Sequence, residues 1–285
     1  MTTPAMQPLR WLGQRAPHMT LREIVPGVLQ VRLQTWVMSR IHFIATPYLV
    51  RETLIDTGSS HLGPVLLPWL ASQRIHDIAL THHHEDHSGN AGPIAQARSC
   101  PVWLTRPDLF QTEGVADIPF YRRLFWGRPH TYDPRPMPPH LLGGDLVALP
   151  TPGHSATHTV FFLTTERILF SGDLLISLGA SATMRYEDPD ALVRSLHAAA
   201  DLEPRLVCTG HGHIHERGAD RLRTKADRVE AAILTVRSLH ASGRPAHSIV
   251  KEVFPRGILE DEQLRVLTGG EFSRRCFVDA VLRNT

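Results

Sequence analysis

Between Thr81 and His87 the chain reads THHHEDH, and His82, His84, Asp86 and His87 are all metal-binding types at close spacing. On an extended backbone, side chains 82, 84 and 86 share one face, because the strand period is two. A turn after Asp86 then brings His87 to a neighbouring point. Mixed nitrogen and carboxylate donors suit zinc, iron or manganese, whereas calcium and magnesium ask for oxygen alone. In this reading His83 and Glu85 face away from the ions, supporting the ligands or meeting solvent. The strand-like run Ile75 to Leu80 leads into the motif, and Ser88-Gly89-Asn90 and a helix-compatible Pro93 to Ala97 follow it. A strand end feeding a loop and a helix start is where α/β proteins place chemistry.

Three further donors stand at strand-to-loop junctions. Thr151-Pro152-Gly153-His154 puts a histidine on a Pro-Gly turn, ILFSGD ends an apolar run on Asp173, and LVCTGH ends another on His211. Together with the first cluster they supply two nitrogen-rich sets and one carboxylate able to bridge them. The chain shows no G-x-S-x-G elbow or Walker-type loop. Water activated by metal is the nucleophile these residues favour.

The order HxHxDH, then His, then Asp, then His resembles the metallo-β-lactamase superfamily over roughly Ile24 to Gly212. That resemblance implies an α/β fold, a four-layer αββα sandwich. It implies one metal on His82, His84 and His154, a second on Asp86, His87 and His211, and Asp173 bridging the two. Two divalent ions are expected, zinc first, with iron or manganese as alternatives. A hydroxide held between them would attack an ester or thioester carbonyl of a small, partly apolar substrate, since such a site lowers the pKa of water from about 15.7 to near 7. Asp86 is the candidate catalytic residue, as ligand and as the carboxylate that orients the hydroxide and carries its proton. Asp56, in an Asp-Thr-Gly turn similar to the superfamily's, either holds a ligand histidine by its far nitrogen or stabilises its own turn. His158 is expected to be a polar support behind the ligands.

Similarity to glyoxalase II suggests thioesters, and similarity to acyl-homoserine lactonases suggests lactones. Those lactonases carry a tyrosine shortly after the bridging aspartate. Here Leu174, Leu175 and Ile176 follow Asp173, so the phenol is expected to be missing and the aliphatic run to line an apolar pocket. The alternatives to an ester or thioester hydrolase are a single-strand ribonuclease, as in the β-lactamase-like 2 group, a lactonase, or a mononuclear iron dioxygenase.

The elements that must position these residues follow from the rest of the chain. Residues 1–20, with Pro4, Pro8 and Pro17, read as a mobile tail. A catalytic domain over 21–215 opens with strands at Val28 to Leu33, Ile41 to Ala45 and Leu49 to Ile55, in hairpins, and Pro64 to Leu70 reads as a helix. Val102 to Thr105, Leu146 to Leu149, Thr159 to Leu163 and Arg205 to Thr209 read as strands. Asp188-Pro189 is an N-cap and first-turn pair, with Leu192, Leu196 and Ala199 as the buried stripe behind it. An aromatic and proline-rich insertion, 106–140, is too long for an idle loop; it reads as an irregular lid walling the substrate, or as a local packing or dimer contact. Residues 216–285 form a helical, winged-helix-like appendage, with helices at Glu216 to His240, Pro245 to Phe254 and Leu259 to Leu282. The basic run Arg217, Arg221, Arg223, Lys225 and Arg228 is diluted by acids. A solvated helix face is its default, an anion contact near the pocket the other reading.

Composition adds exclusions. A hydrophobic share of 42% and a net charge of +2 describe an ordinary globular chain with no global demand for nucleic acid or a charged membrane. No apolar run reaches bilayer length and the start lacks a signal core, so cytoplasmic localisation is expected. The partner expected is a small molecule, ahead of nucleic acid, with no membrane and with a homodimer allowed. Cys100, Cys208 and Cys276 form no disulfide or zinc pattern, and Cys208 is read as a small buried strand residue.

Overall fold

The computed structural model describes residues 17–37, 41–113 and 118–283. Most of the expected tail, 1–16, lies outside the described residues, and its end is already strand. Strands β1 (His18–Val25), β2 (Val28–Val37), β3 (Ile41–Ala45), β4 (Tyr48–Val50), β5 (Thr53–Ile55), β6 (Asp77–Ala79), β7 (Val102–Leu104) and β8 (Pro134–Pro136) make one sheet. Hairpins build its first half, and β5 through β8 run parallel. The crossovers carry α1 (Gly63–Leu70), α2 (Glu85–Ser88), α3 (Ala91–Arg98), α4 (Pro107–Glu113) and α5 (Phe120–Trp126). A second sheet holds β9 (His140–Leu141), β10 (Leu146–Pro150), β11 (Thr159–Leu163) and β12 (Ile168–Gly172). After a separate short strand, β13 (Thr183–Met184), helix α6 (Pro189–Ala200) leads to β14 (Leu206–Thr209), parallel to β12, and β15 (Ile214–Glu216) closes the edge.

Strand alternation assigns the layers. In β11, Phe161 and Leu163 face Tyr48, Ile55 and Ala79 of the first sheet. Their neighbours Val160 and Phe162 face α6 and the start of α7 (Gly218–Ala241). Leu54 and Ile78 turn the other way, onto Leu66 of α1 and Ile94 of α3. The result is helices, sheet, sheet, helices: the αββα sandwich implied above. Cys208 lies in the inter-sheet core, as a small buried strand residue should. Asp188 caps α6, its carboxylate accepting from the Ala191 amide at 3.0 Å.

Several expectations are corrected. Leu49 to Ile55 is a hairpin, not one strand, with Arg51 taking a positive φ of 54° at the turn. The described residues of 106–140 hold α4, α5 and edge strand β8, where prolines are tolerated because an edge needs fewer donors. Phe125 and Trp126 pack on Phe43, with ring centroids 5.0 and 4.5 Å away. After α8 (Ala246–Val253) the expected helix Leu259 to Leu282 is two, α9 (Ile258–Leu267) and α10 (Arg274–Arg283). Gly269 and Gly270, at φ of 60° and 79°, break it, and β16 (Phe272–Ser273) pairs back with β13. Helix α7 serves both halves: Leu222 and Ala226 cover the second sheet, while Val229, Ile233 and Val236 meet α8 and α10.

The ends of the two sheets are drawn together on one side. The Thr159 amide donates to the Thr81 carbonyl at 2.7 Å, the Thr46 amide to Gly210 at 2.8 Å, and the Gly210 amide to Gly172 at 3.0 Å. Only glycine permits this closeness at two points. A Cβ on Gly172, which has a φ of 46°, would lie 2.8 Å from Thr81 Cβ, and one on Gly210 would lie 2.6 Å from His87 Cε1. Each glycine immediately precedes a candidate ligand, Asp173 or His211. Gly210→Ala should therefore destabilise the chain by about 1–3 kcal/mol through overpacking, whereas Gly179→Ala, with nothing within 4 Å of its Cβ, should change stability by less than about 1 kcal/mol. Urea denaturation of the two variants checks this; equal midpoints would contradict it.

Candidate metal centre

The THHHEDH motif is not extended throughout. After β6 the chain bends through His82 and His84, and Glu85 opens the single turn of α2, which carries Asp86 and His87. The bend is fixed from both sides. Thr57 Oγ1 donates to the His87 carbonyl at 2.9 Å, Ser88 Oγ to the His83 carbonyl at 2.8 Å, and the Asn90 side-chain amide to the Thr57 and Ser59 carbonyls at 2.9 and 2.8 Å. All seven candidate ligands come together. Donor atoms of His82, His84 and His154, of His82, His87 and Asp173, and of Asp86, His87 and His211 lie within 4.8 Å of one another in each group.

Every candidate-ligand imidazole has one nitrogen tied to the protein and the other turned inward. His82 Nδ1 donates to Thr81 Oγ1 at 3.0 Å, and Thr81 Oγ1 in turn donates to Asp56 at 2.8 Å. His87 Nδ1 donates to Asp56 Oδ2 at 2.8 Å, and His211 Nδ1 to the Ile44 carbonyl at 2.6 Å. His84 Nε2 donates to the Tyr186 hydroxyl at 2.7 Å, and His154 Nδ1 faces Glu187 Oε1 at 3.5 Å. These partners fix each tautomer. They also leave His82 Nε2 and His154 Nε2 at 2.9 and 3.1 Å from His84 Nδ1, three lone pairs facing one another. With these tautomers a metal cation between them would satisfy all three.

Asp173 faces both groups. Its Oδ1 is 3.2 Å from His87 Nε2 and from His211 Nε2, and its Oδ2 is 3.5 Å from His154 Nε2. Asp86 Oδ2 lies 3.6 Å from His87 Nε2 and 3.9 Å from His211 Nε2. His87 Nε2 and Asp173 Oδ1 are buried without a well-formed hydrogen bond, a rarity in a folded interior. Five imidazoles and two carboxylates, with orphaned lone pairs inward and donors outward, fit divalent metal ions.

Charge follows the geometry. Burial holds His82 and His84 neutral, well below the usual histidine range, with neighbouring histidines adding to it. Burial acts the same way on His87 and His211, but Asp173 and Asp86 outweigh it; His87 is raised well above the usual range and His211 to about 9. His154 is also raised, Glu187 and Asp173 overcoming its burial. Asp173 stays ionised despite burial because His211 and His87 flank it.

The supporting residues correct the sequence reading in part. Asp56 holds His87 by its far nitrogen and also accepts from the Thr81 amide at 2.8 Å. His158 accepts the Asp173 amide on Nε2 at 3.2 Å and donates to Thr151 Oγ1 at 2.8 Å, so it fixes the backbone behind the site. His83 and Glu85 are not turned to solvent: both are buried. His83 meets Thr157 Oγ1 at 2.9 Å, and Glu85 accepts from Arg122 of α5 at 2.7 Å. Arg122 also reaches Glu271 at 3.1 Å, and Tyr121 donates to Glu271 at 2.8 Å, so the insertion and the C-terminal segment brace the ligand helix. Directly after Asp173 no phenol stands, as expected; a different tyrosine, Tyr186, meets His84 from an irregular segment whose only signal was an isolated aromatic beside Glu187. Leu174 and Leu175 are buried in core under α6; of the aliphatic run only Ile176 lines a cavity. Lys225, expected on a solvated face, is 5% exposed, and burial lowers its pKa to about 8.

No helix among the described residues is long and apolar enough to cross a membrane. In comparisons with known proteins, the chain is 28% identical over 181 residues to a beta-lactamase-like protein 2 homolog of Caenorhabditis elegans, covering 60% of this chain and 56% of that protein. It is 27% identical over 187 residues to an atrochrysone carboxyl ACP thioesterase of Aspergillus fumigatus, covering 61% of this chain and 51% of that one. The chain thus spans little more than half the length of these relatives. A solved metallo-beta-lactamase family protein from Thermus thermophilus shares the fold, with a TM-score of 0.57 and 21% identity over 94% of this chain and 92% of that one. The family profile described as the metallo-beta-lactamase superfamily matches residues 44–211, the span that runs from the strand before the first ligands to the last of them, and the chain belongs to that superfamily.

Proposed function

We propose that the protein is a dinuclear metal-dependent hydrolase acting on an ester or thioester of a small, partly apolar acyl substrate. The observation that carries this reading is Asp173, which lies between the donor groups: its oxygens are 3.2 Å from His87 and His211 Nε2 and 3.5 Å from His154 Nε2. The similarity to a thioesterase supports the choice of bond. Bound divalent ions, zinc foremost, would lower the pKa of water toward 7 and polarise the carbonyl oxygen.

The chain's own residues do the rest. His82, His84 and His154 would hold one ion, Asp86, His87 and His211 the other, and Asp173 would serve both. Asp86 sits at the less buried side, beside His211, whose side chain is 25% exposed. There its carboxylate orients the attacking water and takes its proton. The Tyr186 hydroxyl bonds the outward nitrogen of His84 and orients that ring, and it keeps its own proton, its pKa raised.

In the zinc-loaded protein, Asp86→Asn should lower kcat for acyl thioesters by about 100-fold or more, and Tyr186→Phe by about tenfold with little loss of stability. A panel of thioester, ester, lactone and phosphodiester substrates tests the proposal. Turnover confined to phosphodiesters, or an unimpaired Asp86→Asn, would overturn it.

Metal uptake should also follow pH in a set direction. A histidine whose folded pKa is raised stabilises the metal-free protein below its unfolded value of about 6.5 and loses that contribution as pH rises through the folded value, about 9 for His211. Ions compete with those protons, so zinc affinity should rise with pH across this window and binding should release protons. Calorimetry in buffers of different ionisation enthalpy reads the release; buffer-independent heats would contradict it.

A further inference from the structure

Beside the metal centre lies a second, unassigned feature. A cavity of about 100 Å³ is lined by His154, Asp173, Glu187 and Lys225 and by residues of the half-buried loop 176–182. Leu192, Val229 and Phe277 give it apolar walls. Among the described residues, Lys225 makes no hydrogen bond or ion pair, although it is 5% exposed. The nearby carboxylates are otherwise engaged. Glu187 Oε1 accepts the Met184 amide at 2.8 Å and faces His154, and Asp173 faces His87 and His211. Thr183 Oγ1, on the same lining, is buried without a partner as well.

A buried ammonium destabilises a fold unless charges offset it; Glu187 and Asp173 attract Lys225 from the same lining, but neither makes a direct ion pair with it. Leu222, Ala226 and Val229, on the same face of α7, are apolar core residues. We propose that this cavity is a subsite for the short acyl arm of the substrate, and that the arm ends in a carboxylate paired with Lys225 and Thr183. Two donors match the two oxygens of a carboxylate. The volume holds on the order of three water molecules, which a two-carbon arm and its carboxylate fill. Calling the occupant an acyl arm rests on the hydrolase reading; the recognition of an anion does not.

The test compares succinate with butyrate, which differ in a terminal carboxylate against a methyl, as ligands of the zinc-loaded full chain by calorimetry. Both present one carboxylate to the ions, so their difference reports the cavity. The wild type should favour succinate by about tenfold or more, Lys225→Met should abolish the preference, and Thr183→Val should reduce it several-fold. Unfolding midpoints accompany the binding data; removal of a buried charge should leave the Lys225→Met midpoint unchanged or raise it, and if that variant fails to fold, Thr183→Val decides. No preference in the wild type, or a preference that survives Lys225→Met, overturns the proposal. Succinyl and butyryl thioesters are assayed on the same proteins. A lysine-dependent preference without turnover removes the hydrolase reading and leaves the subsite, whereas turnover without a preference does the reverse.

Discussion

Lone pairs that face one another in a dry interior repel unless a cation lies between them, and this constraint organises the molecule. His82 Nε2 and His154 Nε2 lie 2.9 and 3.1 Å from a third such nitrogen, His84 Nδ1. The outer nitrogens are committed to Thr81, Tyr186 and Glu187, so the rings cannot turn to relieve the contact by exposing their donors inward. Asp173 and Asp86 add negative charge at the same point. Divalent ions satisfy both requirements together.

The sandwich exists to hold this geometry from several directions. Ligands arrive from the bend after β6, the turn after β10, and the ends of β12 and β14, so they belong to both sheets. Cross-sheet hydrogen bonds at Thr81, Thr46 and Gly210 tie these ends directly, and the inter-sheet core around Tyr48, Phe161 and Phe170 sets their separation. Farther out, Arg122 holds Glu85, the residue between His84 and Asp86, to Glu271 near the C-terminus. A buried ion pair of this kind fixes position more than it adds stability. The C-terminal segment is therefore part of the support of the site, through Glu271 and through the β13–β16 pair.

Much of the ligand set was legible because metal donors must be particular residue types at strand ends, and such types are conspicuous in apolar runs: Asp173 after ILFSG, His211 after LVCTG. The two-sided burial of β11, β12 and β14 was likewise written in continuous apolar segments. What escaped was set by tertiary context. The motif's backbone turns helical at Glu85, held by Thr57 and Asn90 and with its carboxylate met by Arg122, distant in sequence. Tyr186 and Glu187 sit in an irregular segment with no period to place them. Lys225 looked like one charge in a solvated run, and only its helical phase with Leu222 and Val229 marks it as buried. The Gly269-Gly270 pair did signal the break between α9 and α10, and a stricter reading of glycine as a helix terminator separates them.

Whether the seven side chains hold a pair of ions is decided by anomalous diffraction at the zinc edge, from crystals of the zinc-loaded protein. Two peaks per chain are expected, one among His82, His84 and His154 and one among Asp86, His87 and His211, with the Asp173 carboxylate between them. A single peak, none, or an Asp173 or His211 side chain turned away from the others would contradict the dinuclear centre.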